Sequence, residues 1–257
     1  MSDDGREIVA KLIVEQSALQ QYVDVLGALV DECKLHFDDD RLSARVVDPA
    51  NVASIIPADL LASRCESYDA PGSAVVGASV NRLDELIGAA NSGDLIHLRL
   101  DMATRKLLVD YREVHHEMAL IDADSVRQEP DLPDLDLPNT VTVEAGDLSE
   151  GVGVVDLTSD HLELQTASTQ DAIVLFGGGD VDESSYTIDD GVIMNGIREE
   201  TSTLLSLEYL EELVKPMPDD AEVTVSYGDD FPIIMEWSAC EGGIEVKQLL
   251  APRIQSQ

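Results

Sequence analysis

One stretch of this chain occurs twice. Ser79-Val80-Asn81-Arg82-Leu83-Asp84-Glu85-Leu86-Ile87 matches Ser206-Leu207-Glu208-Tyr209-Leu210-Glu211-Glu212-Leu213-Val214 at a constant shift. Nearly the same shift carries Leu19, Val23, Val25, Leu26, Asp31 and Leu35 onto Leu148, Val152, Val154, Val155, Asp160 and Leu164. Two matches in the same order at nearly one spacing point to a duplicated domain. Whatever one half folds into, the other must fold into as well.

Each half reads as strand, helix, strands, helix, strands. Ile8 to Val14 alternates as a strand, and Leu35 to Phe37 and Leu42 to Val46 flank an acidic turn as a hairpin does. Strand patterns continue over Leu95 to Leu100, Leu107 to Tyr111, Glu117 to Ile121 and Val223 to Val225. Helical spacing is confined to Ser17 to Leu29, Asn81 to Ala90, Asp147 to Val155 and Leu207 to Val214. The fold class expected is α+β, with a domain over 1–127, a connector over 128–138 and a second domain over 139–257. Pro130, Pro133 and Pro138 deny the connector both helix and sheet ladder. Its alternating leucines either tack it to the surface or wall a groove.

Charge speaks about solvent. The 257 residues hold 52 acids and 16 bases, a net charge of −36, with acids spread over turns and helix faces. At molar salt the screening length falls to about 3 Å and the self-repulsion nearly vanishes. The dispersed carboxylates fit a high-salt cytoplasm. No apolar run reaches the roughly 18 residues of a membrane span, and Met1 to Arg6 is polar with no apolar signal region behind it, so a cytoplasmic location is expected.

Chemistry is sparse. Cys33, Cys65 and Cys240 form no C-x-x-C pair and read as small buried apolar residues. His115 and His116 should point to opposite faces of one strand and so cannot easily share a metal. No phosphate loop, nucleophile elbow or calcium loop occurs. No catalytic residue, metal site or cofactor is expected.

Four segments resemble the proliferating cell nuclear antigen family of sliding clamps: Val47-Asp48-Pro49-Ala50-Asn51-Val52; Leu120 to Ser125 running into the connector; Leu207-Glu208-Tyr209-Leu210; and Leu250-Ala251-Pro252-Arg253-Ile254, with Phe231-Pro232 upstream. Met1 to about Glu7 looks like an extra N-terminal extension. The resemblance implies a head-to-tail homotrimeric, pseudo-sixfold ring, with helices lining the hole and antiparallel sheets outside. It also implies strand pairing between the edge near Glu113 to Leu120 and the edge near Ala172 to Phe176 of the neighbour. Implied partners are duplex DNA, encircled without sequence specificity, and a DNA polymerase, clamp loader, nuclease and ligase held through short peptides. The partner-peptide groove would take Val47, Val52, Pro232, Leu249, Ala251 and Pro252 as its floor, with Val126, Gln128 and Leu132 at its edge.

The departure is in the hole, which in this family is usually basic. Here the four helices offer Arg82 and Lys215 against eight acids. Arg82, Lys215, Lys11 and Arg112 are the candidates for residual contacts to the DNA backbone. Gly151 and Gly153 each weaken the third helix by about 1 kcal/mol relative to alanine. The competing expectation is a peptide-binding scaffold that does not act on DNA, and a carboxylate hydrolase is a more distant one.

Overall fold

The computed structural model describes residues 6–131, 133, 135–166, 172–179, 181–189, 192–196 and 201–253. The first half begins with β1 (Ile8–Glu15), where Ala10, Leu12 and Val14 turn inward and Lys11 outward, as a two-residue period requires. Then follow α1 (Gln16–Gly27), β2 (Glu32–Phe37), β3 (Arg41–Val47), β4 (Ala53–Leu61), β5 (Ser67–Asp69), β6 (Ala74–Ser79), α2 (Val80–Gly88), β7 (Leu95–Asp101), β8 (Lys106–Tyr111) and β9 (Val114–Ala119). The second half repeats the order: β10 (Asn139–Glu144), α3 (Ala145–Asp156), β11 (His161–Thr166), β12 (Ile173–Gly178), β13 (Glu183–Ile188), β14 (Ile193–Gly196), β15 (Ser202–Ser206), α4 (Leu207–Val214), β16 (Glu222–Tyr227), β17 (Ile233–Ala239) and β18 (Ile244–Leu250).

The chain divides into two compact units. The first holds residues 1–47, 55–130 and 240–246; the second holds 48–54, 131–239 and 247–257. In the first, one sheet runs β5-β1-β7-β8-β9, and β4-β3-β2-β6 lie side by side in another. In the second, β14-β10-β16-β17-β18 and β13-β12-β11-β15 reproduce both orders strand for strand. The α+β duplication read from the helix matches therefore extends to every strand.

One expectation needs correction. The stretch Ala172 to Phe176 is not a sheet edge: β12 sits between β11 and β13, bonded to both, and β13 is the edge. An apolar run such as Ile173 to Phe176 marks a strand but carries no information about which strand lies last. β9, by contrast, is an edge, as Glu113 to Leu120 was expected to be.

The helices owe their placement to apolar stripes. In α2, Val80, Leu83, Leu86 and Ile87 are buried while Asn81, Arg82, Asp84 and Glu85 face out, and the Ser79 hydroxyl caps the first turn by accepting from Arg82 N–H at 3.2 Å. In α4, Leu207, Leu210, Leu213 and Val214 repeat the stripe. Burial of each such side chain contributes about 1.5–3 kcal/mol, which holds these short helices where propensity alone would not. α1 packs on α2 and α3 on α4.

Glycine solves two close approaches. A Cβ at Gly151 of α3 would lie 2.9 Å from both Leu175 Cδ2 and Tyr186 Cδ1, so its absence lets β12 and β13 press against the helix. The loss of helix propensity at Gly151 is thus exchanged for packing. Gly153 has nothing within 4 Å and no such reason. At Gly77 of β6, a Cβ would stand 2.7 Å from Val126 Cγ2 and 2.9 Å from the Ile121 carbonyl oxygen, which is how the start of the connector lies against the sheet.

Candidate functional site

The peptide-groove candidates fall into two sets. In the first unit, Val47, Val126 and Gln128 border one shallow recess on the outer side of β2 and β3. The connector reaches it because Ile121 exchanges backbone hydrogen bonds with Gly77 at 2.8 and 3.2 Å. Further along, Glu129 is joined to His36 Nε2 on β2 at 2.7 Å. Both groups are half-buried, so the bond is partly shielded from solvent.

In the second unit, Val52, Pro232, Leu249, Ala251 and Pro252 are all half-buried, the exposure of residues that border a surface recess. Ala251 N–H donates to the Val52 carbonyl at 2.8 Å, bringing these two candidates together. Phe231, beside Pro232, is 49% exposed, an unusual state for a large apolar ring. Leu132 lies outside the described residues.

The turn that carries Val52 is built by Asp48. Its carboxylate accepts from the N–H groups of Ala50, Val52 and Ala53 at 2.7, 2.6 and 2.7 Å, and from the Tyr209 hydroxyl on α4 at 2.9 Å. Burial by itself would raise this acid, but the three backbone donors and the phenol outweigh it and lower it below the usual carboxylate range. Asn51 takes a left-handed φ of 59°, which asparagine tolerates well. Asp before Pro-Ala-Asn is a signal for such a turn. The phenol, 161 residues away, has no local signal at all.

Three of the four basic candidates stand beside a carboxylate. Arg82 pairs with Glu85 at 2.6 Å on the exposed face of α2, and Arg112 pairs with Asp94 at 2.6 Å in the β8–β9 turn. Lys215 follows α4, where a cation suits the helix dipole, 3.9 Å from Glu212. Lys11 is exposed on β1, opposite Asp69 of β5 and Arg99 of β7. Acids crowd the same helices. Burial, then Asp156, Glu212 and Glu208, raise Glu211 above the usual range. Gln20 of α1 donates to Asp24 at 2.8 Å and also to Asp84 of α2, placing one neutral amide between two carboxylates.

The thiols and histidines remain outside any such arrangement. Cys33 is buried, and burial, then Glu129 and Glu32, push its thiol up to about 12; Cys65 and Cys240 are half-buried rather than core residues, because Arg64 and its turn lie beside them near the surface. His115 is exposed with Nδ1 2.8 Å from Asp110, while His116 tilts over the Tyr111 ring. Among the described residues, no group of three or more His, Cys, Asp or Glu could hold a metal ion, and no helix is long and apolar enough to cross a membrane.

Comparison with known proteins assigns the class first. The solved structure of A. fulgidus PCNA with the C-terminal region of FEN-1 bound superposes with a TM-score of 0.89 at 27% identity, covering 96% of this chain and 100% of that one. The PCNA of Thermococcus kodakaraensis shares the fold, with a TM-score of 0.85 at 19% identity over 95% of this chain. The duplicated helix-backed sheets are thus the fold of the proliferating cell nuclear antigens. No family model matches the chain. The curated DNA polymerase sliding clamps of Natronomonas pharaonis and Halobacterium salinarum are each 41% identical over 96% of this chain and 99% of their own length. The chain belongs to the DNA polymerase sliding clamp family.

Proposed function

We propose that this protein is a replication processivity factor: a homotrimeric ring that encircles duplex DNA and tethers a polymerase, clamp loader, nuclease and ligase through short peptides. The observation that carries it is the pair of halves with one strand order, in a chain 41% identical to sliding clamps over nearly its whole length. A PCNA of the same fold holds the C-terminal region of a nuclease, which supports peptide tethering here. The protein performs no reaction of its own and works in the cytoplasm.

The duplication also supports ring closure. β9 corresponds to β18 and β13 to β4. In the first unit the segment leading into β18 runs beside β4, where Leu61 N–H donates to the Gly243 carbonyl at 2.9 Å. The same pairing repeated between β9 of one copy and β13 of the next generates a head-to-tail interface that closes when the rotation allows. Residues 1–127 and 139–257 would be the paired clamp domains and 128–138 the connector. Partner peptides would contact Val52, Pro232, Leu249, Ala251 and Pro252 of the second unit, and Val47, Val126 and Gln128 of the first, with exposed Phe231 added. Leu132 stays a candidate by position.

Retention on DNA would be mechanical. Making six to ten phosphate contacts loses roughly 10³–10⁵ in affinity over a fourfold rise in salt, so such contacts are of little use in a concentrated cytoplasm. Arg82, Lys215, Lys11 and Arg112 would give weak guidance only. The test is retention on nicked circular DNA after loading in multimolar salt. Linearising the circle should release the protein. A scaffold that does not act on DNA would show no difference between the two forms, and that result would refute the ring.

A further inference from the structure

Among the described residues at least ten bases stand in ion pairs with carboxylates, as expected where acids are in such excess. Lys34 and Arg45 do not: among the described residues neither has a carboxylate within 4.0 Å. They are also close to each other. β2 and β3 pair with His36 opposite Ser43 and Phe37 opposite Leu42, and continuing that antiparallel register sets Lys34 directly opposite Arg45. Like charges in directly opposed positions destabilise a sheet. In a chain with three times as many acids as bases, this uncompensated pair calls for a physical reason.

Its position supplies one. Both side chains border the recess formed with Val47, Val126 and Gln128. They project from the face of β2 opposite Cys33, Leu35 and Phe37, which are buried beneath α2. The carboxylates nearest along the chain do not quench them. Glu129 is engaged by His36, and Glu32, though it borders the recess, is exposed and makes no ion pair among the described residues. Arg127 borders the same recess. The result is a recess whose border carries Lys34, Arg45 and Arg127 against the single acid Glu32, in a protein of net charge −36.

We propose that Lys34 and Arg45 form a receptor for a carboxylate of the partner peptide, carried on a residue next to its apolar anchors. This deepens the proposed function and rests on the peptide groove assigned there. Charge complementarity selects the ligand: the two cations together match one carboxylate by charge-assisted hydrogen bonds, which survive salt better than a distant field does. Because the pair lies on the sheet face away from the helices, a peptide rather than a DNA phosphate is the occupant. Discrimination follows as well, since a peptide carrying a cation at that position would meet two like charges.

The test uses the full-length protein in multimolar potassium chloride and fluorescence anisotropy of labelled peptides. Each has the same apolar and aromatic anchors, with either Glu or Gln at the flanking position and a free or amidated C-terminus. The wild-type protein should bind the Glu peptide roughly fivefold more tightly than the Gln peptide. The K34Q/R45Q protein should lose that preference while keeping its affinity for the Gln peptide. If the free C-terminus alone sets the preference, with Glu and Gln peptides bound equally, the side-chain receptor is overturned in favour of a terminal-carboxylate contact. Equal binding of Glu and Gln peptides, with either terminus, would overturn the receptor but leave the groove intact. Failure of every peptide to bind the wild-type protein would overturn the groove and the receptor together. Loss of DNA retention in K34Q/R45Q with peptide preference unchanged would overturn it in favour of a phosphate contact. An unchanged thermal midpoint in the variant, or a raised one, excludes misfolding as the cause.

Discussion

At the scale of single residues, Asp48 governs most. Three backbone N–H groups and one phenol converge on its carboxylate, so neutralising it leaves buried donors facing a weaker acceptor. Asp48→Asn should lower the unfolding free energy by about 2 kcal/mol, measured by denaturant titration in high salt. The sign with pH follows from the lowered acid. Its contribution is fully present above the unfolded carboxylate value of about 4 and is lost as pH falls through the still lower folded value. The wild-type protein should therefore lose more stability on acidification below about pH 4 than the Asn variant does. Tyr209→Phe removes only the phenol and should cost about 1 kcal/mol. A pH profile of the Asn variant parallel to that of the wild type would show that Asp48 is not the group responsible.

At the scale of elements, helix α3 makes two opposite expectations from one chemical change. Gly153→Ala adds a methyl to open space and should raise stability by about 1 kcal/mol. Gly151→Ala drives the same methyl against Leu175 and Tyr186 and should lower it, by about 1–3 kcal/mol, since overpacking forces neighbouring side chains to shift. Thermal midpoints of the two proteins decide the matter; movement in the same direction would refute the close approach. The connector has its own element-scale test. Gly77→Ala should displace Ile121 and Val126 from β6 and weaken partner-peptide binding, read as a raised Kd with the apolar anchors unchanged. How much of this was legible in the sequence differs by element. The helix at Leu207 began and ended as its periodicity indicated, and the hairpin around Asp38 to Asp40 formed because apolar alternation on both sides agreed with a polar turn. The edge role of β13 was not legible, because position within a sheet depends on which strands arrive later.

At the scale of the whole molecule, charge and assembly are linked. The 27.8 kDa chain carries −36, and three copies brought together multiply the repulsion. In multimolar salt, light scattering should report a particle of three chains, near 83 kDa; at low ionic strength the assembly should dissociate as screening lengthens from about 3 Å towards 30 Å. A persistent monomer at high salt would count decisively against a ring. Arg82 and Arg112 each stand beside a carboxylate, Glu85 and Asp94, so any contact they make to a DNA backbone would have to compete with an ion pair within the chain.

What the sequence determined by itself is everything with a local cause. Periodicity located the helices, repetition announced two like halves, and the excess of acids declared the solvent, since each of these is written within a few residues of where it acts. What only the tertiary structure decided is which groups meet: Tyr209 with Asp48, Glu129 with His36, Tyr186 with Gly151, and Lys34 across from Arg45. Such meetings depend on the packing of strands and helices far apart along the chain. The free energy of apolar burial and hydrogen bonding is minimised over the folded whole, and no short segment contains that information.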